Sequence, residues 1–161
     1  GTFSNVLSSA LRLGYLILPP HLRRHLKQST WLPTDAPSWS LQQALLVCLR
    51  DGHFERHIRR MRRLYAKKRE ALKEALAPIC SIVQLHGLEA GLHSYLELPE
   101  HLQARQVARE ASKRGVLLST LDPFYLVKPD RNGLLLGYGS LTLAEINQGA
   151  AMLVDVITSM A

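Results

Sequence analysis

The residues best suited to chemistry stand at the start of the chain, in Gly1-Thr2-Phe3-Ser4-Asn5 and in Arg12, seven residues further on. Two hydroxyls, backbone donors near Gly1 and an arginine brought back by a short loop can surround a dianionic phosphate with charge-assisted hydrogen bonds. Small polar loops before a strand are also common without any ligand. The spacing therefore predicts a candidate phosphate-binding loop and leaves the ordinary alternative open.

The histidines and cysteines of the chain are its candidate metal ligands. Two histidine pairs, His21 with His25 and His53 with His57, have the spacing of one helical turn, which can place two imidazoles on one ion. The second pair lies among arginines, lacks the HExxH order and has no evident third ligand. Cys48 and Cys80 have neither CxxC nor Cys/His spacing. We interpret the pairs as surface histidines and predict neither a metal site nor a disulfide scaffold.

Composition limits the classes of protein. The chain has 161 residues, a formal charge of +7 and an apolar fraction of 47% with 20% charged residues. Such a chain is too hydrophobic to be disordered and is long enough for one domain or a piece of a larger one. No apolar run reaches the roughly 18 to 20 residues of a membrane-spanning helix, and no secretory signal is evident. We expect a soluble, cytoplasmic protein with no membrane partner.

Most of the excess positive charge lies in one segment, His53 to Leu76, which has nine lysines and arginines against three glutamates. Such clustering can contact a nucleic-acid backbone. However, no aromatic residues are interleaved for base stacking, and no helix-turn-helix signature accompanies the charge. We favour a long solvated helix and keep nucleic-acid binding as an alternative.

The elements that must position these residues alternate between helix and strand. The first segment, Leu13 to Leu18, is apolar throughout and predicts a strand buried on both faces, although only twelve residues precede it. Its neighbouring strands are then missing, so the chain looks like the C-terminal piece of a longer polypeptide. A short helix from Pro20 to Lys27 and a linker from Trp31 to Ser38 are predicted to follow.

Further along, capping boxes and apolar spacing predict helices that start after Ser40 and Thr142, a long helix from His53 that ends before Pro78, and a helix from Pro99 to Arg114. Strands are predicted at residues 79–85, 92–98, 116–118 and 134–138. The alternation of the two kinds of element predicts an α/β or α+β protein.

Four runs of the sequence resemble a known protein family. The first twenty residues resemble the lysine-loop region of fold-type-I pyridoxal-phosphate enzymes, in the form G-T-F-S-K-x-L-x-x-x-L-R-L-G-Y. The runs Asp51 to Arg62, Gly91-Leu92-His93 and Leu134 to Tyr138 resemble the effector domain of GntR-type transcriptional regulators of the MocR subfamily. The resemblance covers essentially the whole chain.

The resemblance implies roles for individual residues. Thr2 and Arg12 would hold the cofactor phosphate, with Ser4 a further candidate. Asn5 stands where the family has the Schiff-base lysine, and a carboxamide supplies neither the amine nucleophile nor the proton shuttle. Leu135 stands where aminotransferases place the arginine that binds the substrate carboxylate. We therefore expect no catalytic residue and no covalently bound cofactor in this chain.

The fold class implied is α/β, the C-terminal portion of a pyridoxal-phosphate-dependent transferase fold of aminotransferase class I/II, mainly its small α+β domain. Residues 1–50 would close the large cofactor-binding domain, and residues 51–161 would form the small domain. The family implies a homodimer that senses a small-molecule effector through pyridoxal 5'-phosphate and binds DNA through a separate N-terminal winged-helix domain. The alternative is a fragment or inactivated form of a genuine aminotransferase.

Overall fold

Helix α2, residues His53–Leu76, is the longest element of the computed structural model, as predicted from its apolar stripe. The structure describes residues 1–4, 6–22, 25, 38–89, 91–126 and 131–161. They group into two units, Gly1–Met61 and Arg62–Ala161. The domain organisation expected from the sequence, 1–50 and 51–161, stays a prediction.

The first unit contains a short antiparallel pairing, helix α1 and the start of helix α2. Thr2 pairs with Gly14 in an antiparallel bridge, and a 3-10 turn at Ser9–Leu11 lies between the paired segments. Helix α1 covers Trp39–Arg50 and has no buried residue. Its N-cap is Ser38, whose side chain makes no capping hydrogen bond, so the capping box predicted at Ser40 and Gln43 is wrong.

The expected buried strand at Leu13 to Leu18 is also not present. Leu13 is buried, but Leu16 and Ile17 are 73% and 88% exposed, and beyond Gly14 no residue of this segment has a strand partner among the described residues. A strand forms only when neighbouring strands accept its backbone hydrogen bonds. The apolar run alone therefore predicted a sheet environment that the described part of this unit does not supply. Of the short helix predicted from Pro20 to Lys27, the described residues 20–22 and 25 are helical. The linker predicted from Trp31 to Ser38 lies, apart from Ser38, outside the described residues.

The second unit is built on a four-stranded antiparallel sheet in the order β1-β2-β4-β3. Strand β1 is Gln84–His86, β2 is His93–Glu97, β3 is Ser119–Thr120 and β4 is Gly133–Gly137. The buried residue Val83 directly precedes β1. Three of the strands, β1, β2 and β3, are shorter than the sequence predicted. The strand expected at residues 116–118 is displaced to Ser119–Thr120, because only those residues pair with Leu135 and Leu134.

One face of this sheet is buried and the other is open. Leu96 of β2 pairs with Leu134 of β4, and both are fully buried in a core shared with helices α3, Ala104–Lys113, and α4, Leu143–Met160. Tyr95 pairs with Leu135 on the opposite face, where both are half-buried. Period-two alternation therefore separates a core face from a face with polar and aromatic side chains.

Side-chain hydrogen bonds of two residues, Asn132 and Lys68, hold the helices to this sheet. Helix α3 begins at Ala104 rather than near Pro99, and the side chain of Asn132 determines where. Its Oδ1 accepts from Ala104 N at 3.0 Å, while its Nδ2 donates to three carbonyls, of which Leu102 O is the nearest at 2.8 Å.

Lys68 of helix α2 is buried and donates from Nζ to Gly139 O at 2.8 Å. Among the described residues, no helix is long and apolar enough to cross a membrane.

The capping box predicted at the start of helix α4 is confirmed. Thr142 Oγ1 accepts from Glu145 N at 3.2 Å, and Glu145 Oε2 accepts from Thr142 N at 2.7 Å. These bonds favour the charged carboxylate. The backbone donor of Thr142, then its hydroxyl, lowers the pKa of Glu145 below its ordinary value, with Lys68 adding a smaller attraction.

This gives a prediction for acid stability. A depressed folded-state pKa contributes stability above the unfolded-state pKa, and that contribution is lost as the pH falls through the folded-state value. We expect the free energy of unfolding of Glu145→Gln to decrease less between pH 6 and pH 3 than that of the unmodified chain. Urea titration at each pH measures it. Glu89→Gln, which removes a glutamate outside the helix, is the control. An unchanged pH dependence in Glu145→Gln would contradict the role given to this cap.

Candidate phosphate-binding loop

A short antiparallel pairing shapes the loop that the sequence singles out. Phe3 N donates to Leu13 O at 2.9 Å, and Tyr15 N donates to Gly1 O at 2.8 Å. Because residue 4 follows Phe3 and residue 12 precedes Leu13, the pairing brings Ser4 and Arg12 to the same end of the loop. The pairing thus brings the backbones of two of the three predicted phosphate residues near each other, through backbone hydrogen bonds that any sequence of suitable length could make.

Thr2 fixes the turn that follows. Its Oγ1 donates to Leu13 O at 3.3 Å and accepts from Ser4 N at 3.1 Å. The hydroxyl is therefore part of the loop's own framework, and a phosphate oxygen would have to replace Leu13 O as its acceptor. Thr2 is exposed and Ser4 is half-buried. Asn5, at the position of the family's lysine, lies outside the described residues.

Arg12 adopts an unusual backbone conformation. It has φ 49° and ψ 30°, and among the described residues it is the only non-glycine with positive φ. This left-handed conformation costs an L-residue roughly 1–2 kcal/mol, because Cβ approaches the following carbonyl oxygen. The side chain is exposed, and the residue ends the 3-10 turn Ser9–Leu11. An exposed cation in this conformation makes Arg12 a candidate for a functional role.

Residues of helix α2 also contact this loop, and sequence reasoning did not assign them there. Phe54 meets Phe3 edge to face with ring centroids 5.9 Å apart, and His57 Nε2 lies 3.2 Å from Val6 O. The interpretation of His57 as an ordinary surface histidine is thus incomplete. The available signal was the motif Asp51 to Arg62, which the family resemblance identified without indicating what its side chains touch. Within the described residues, no group of three or more potential metal ligands occurs.

Leu135, which the sequence resemblance assigns to the position of the carboxylate-binding arginine, lies in the second unit. It pairs with Tyr95 on one side and Ser119 on the other, on the open face of the sheet. Other side chains of that face include His86, which stacks on Tyr95 with ring centroids 5.5 Å apart and lies 2.9 Å from Glu97 Oε2. A leucine here offers an apolar surface and no bidentate hydrogen bonds to a carboxylate.

Comparison with known proteins supports the resemblance. No protein-family model matches the sequence. The chain is 33% identical over 150 residues to an uncharacterized HTH-type transcriptional regulator, YhdI, of Bacillus subtilis, covering 92% of this chain and 32% of that protein. It is 30% identical over 150 residues to the probable rhizopine catabolism regulatory protein MocR of Rhizobium meliloti, covering 92% of this chain and 30% of that protein.

Solved structures show the same fold in enzymes. The structure of the α-aminoadipate aminotransferase LysN from Thermus thermophilus, complexed with N-(5'-phosphopyridoxyl)-L-leucine, superimposes with a TM-score of 0.80. The two sequences are 27% identical, and the match covers 98% of this chain and 41% of that one. The chain therefore has part of the pyridoxal-phosphate-dependent aminotransferase fold, as the sequence predicted, and spans about a third of the length of the curated relatives it matches.

Most substitutions lower the free energy of unfolding, but the conformation of Arg12 predicts that one substitution at this position raises it. We expect Arg12→Gly to raise the free energy of unfolding by about 1 kcal/mol or less, since glycine adopts positive φ freely but loses more entropy on folding. Arg12→Ala keeps the Cβ and should leave stability nearly unchanged. Urea unfolding at neutral pH measures both. Equal stability of the two variants would show that the left-handed conformation stores no strain.

Proposed function

Because the chain matches about a third of the length of regulators such as YhdI and MocR, we propose that it is the C-terminal part of an effector-sensing, aminotransferase-like domain. Its role would be to bind pyridoxal 5'-phosphate, free or as an adduct, by the phosphate group. The observation that supports this most directly is the pairing that brings Ser4 and Arg12 together beside Thr2, with Arg12 held in a strained conformation. Regulation follows when the two ligand states favour different arrangements of the protein.

The donor set of the loop suits a phosphate group. Arg12 supplies a planar, always-charged guanidinium, and the hydroxyls of Thr2 and Ser4 supply neutral donors. The excess of lysine and arginine over acidic residues in the chain adds long-range attraction for a dianion. In enzymes of this fold, the cofactor when bound supplies an electron sink for chemistry at an amino acid. Here the loop residues would bind and orient the phosphate end only.

Asn5 makes catalysis of transamination the weaker proposal. A carboxamide cannot form the covalent link that a lysine amine makes, nor move a proton as that amine does. Leu135 adds a second departure, because an apolar side chain replaces a carboxylate-binding cation. We therefore propose docking without covalent attachment. The alternative, an inactivated relative of a genuine aminotransferase, is favoured by the close structural likeness to enzymes such as LysN.

The remaining functions belong to a longer parent protein and are proposed for it alone. One of the named relatives, YhdI, is an HTH-type transcriptional regulator, so we propose that DNA is bound by a separate N-terminal domain and that the parent acts as a homodimer in the cytoplasm. These proposals rest on similarity to such regulators.

Phosphate docking is tested by titrating the chain with pyridoxamine 5'-phosphate and following amide chemical shifts of the loop by NMR. We expect shifts at residues 2–4 and 12, and roughly tenfold to hundredfold weaker binding in Arg12→Ala, since a charge-assisted hydrogen bond contributes roughly 1.5–3 kcal/mol. Arg114→Ala removes one exposed positive charge in the second unit and is the matched control. Equal weakening in both variants, or equal binding of pyridoxamine without its phosphate, would contradict the site.

The role of residue 5 is tested by Asn5→Lys. Lysines elsewhere in the chain can also react with pyridoxal 5'-phosphate and borohydride, so the adducts are located by peptide mapping. We expect no adduct in residues 2–12 of the unmodified chain and one at residue 5 of Asn5→Lys. Asn5→Gln, which keeps a carboxamide, is the control and should behave as the unmodified chain. A borohydride-stable adduct mapped to this loop in the chain with Asn5 would overturn the proposal of noncovalent docking.

A further inference from the structure

The run Asp51 to Arg62 begins helix α2, and the proposed function gives it no role. Two of its side chains face the loop. Phe54 and His57 are three residues apart, so they lie on the same side of the helix. Phe54 contacts the ring of Phe3, and His57 contacts the carbonyl of Val6. These two loop residues stand on either side of Ser4 and Asn5.

The first of these contacts belongs to a row of three rings. Tyr15 and Phe3 have ring centroids 5.6 Å apart at 47°, and Phe3 and Phe54 have centroids 5.9 Å apart at 75°. Tilted and edge-to-face pairs at such distances are favourable geometries for aromatic side chains. The ring of Tyr15 also lies against Gly1, where an added Cβ would come within 2.6 Å of it. The row thus connects both paired segments of the loop to helix α2.

The second contact defines a tautomer. A carbonyl oxygen only accepts, so His57 must bear a proton on Nε2 to bond Val6 O at 3.2 Å. His53, one turn earlier, is directed elsewhere: its Nδ1 lies 2.7 Å from Arg56 Nη2 in the same helix. Two histidines that look equivalent in the sequence therefore have different partners, and only His57 is seen to contact the loop.

The hydrogen bonds within the loop fix its shape but not its position against the helix. A residue in the left-handed region persists only when surrounding structure over-determines it, and Arg12 is such a residue. Resting on the proposed phosphate site, we infer that Phe54 and His57 are positioning residues for it. They hold Phe3 and Val6 against helix α2, so that Thr2, Ser4 and Arg12 are already arranged before an anion arrives. Neither residue needs to touch the ligand.

Preorganisation of this kind has a measurable signature. Loosening the loop adds an ordering cost to binding, which lowers affinity without removing any ligand contact. We expect His57→Leu to weaken binding of inorganic phosphate by roughly threefold to tenfold, the fold-change that corresponds to one hydrogen bond. His57→Gln, whose amide can donate to Val6 O, should recover most of the affinity. Phe54→Leu should weaken binding by a similar factor.

The experiment measures phosphate affinity by NMR titration and amide hydrogen exchange in the loop without ligand. His53→Leu is the matched control, one helical turn away. In His57→Leu, we expect faster exchange at Leu7, whose amide donates to Phe3 O at 2.9 Å, and weaker phosphate binding. In an Arg12→Ala background, the further effect of His57→Leu on affinity should be smaller, because one of the three positioned groups is then absent.

The outcomes separate the two proposals. Equal affinity and equal loop exchange in His57→Leu and His53→Leu would overturn the positioning role. Full additivity of His57→Leu with Arg12→Ala would also overturn it, by showing a nonspecific effect on the fold. If the unmodified chain binds no phosphate while exchange at Leu7 still depends on His57, the phosphate site fails and the hold of helix α2 on the loop stands.

Discussion

The antiparallel pairing of residues 1–3 with 13–15 is the constraint on which the candidate site depends. Two backbone hydrogen bonds, Phe3 N to Leu13 O and Tyr15 N to Gly1 O, close an intervening loop and place its polar residues at one end. No side chain is needed for this closure, so the side chains near it are free for other tasks. Thr2 is the exception, since its hydroxyl supports the turn at Ser4.

Helix α2 adds the second level of organisation. Its first turns present Phe54 and His57 to the loop, while further along the helix Lys68 and Leu72 are buried in the second unit. The long basic stretch noticed in the sequence is thus an amphipathic helix with defined contacts on its apolar side. Its charge is compatible with a solvated face and needs no nucleic acid to account for it.

The sequence predicted most features governed by local rules, although the capping box at Ser40 and Gln43 was wrong, and it missed features governed by neighbours. The long helix and the Thr142–Glu145 capping box were predicted from spacing alone, because both depend on residues within one or two turns. The strand at Leu13 to Leu18 was wrong because pairing depends on other strands. The start of helix α3 was wrong because Asn132, distant in sequence, binds Ala104 N. Thr2, Ser4 and Arg12 could be proposed from residue type and resemblance, but the contacts of His57 could not, since identical histidines one turn apart have different partners.

Asn132 has a consequence for the chemical ageing of the protein. It precedes Gly133, and an asparagine followed by glycine is the dipeptide in which the backbone nitrogen most readily attacks the side-chain amide and releases ammonia. In the folded chain that amide is held by Ala104 N and by carbonyls including those of Pro99 and Leu102, and Gly133 is buried at the start of strand β4. Conversion to a carboxylate would leave those carbonyls facing a negative charge in place of a donor. These hydrogen bonds and the burial of Gly133 are expected to slow that attack, so storage under conditions that loosen the second unit should speed it.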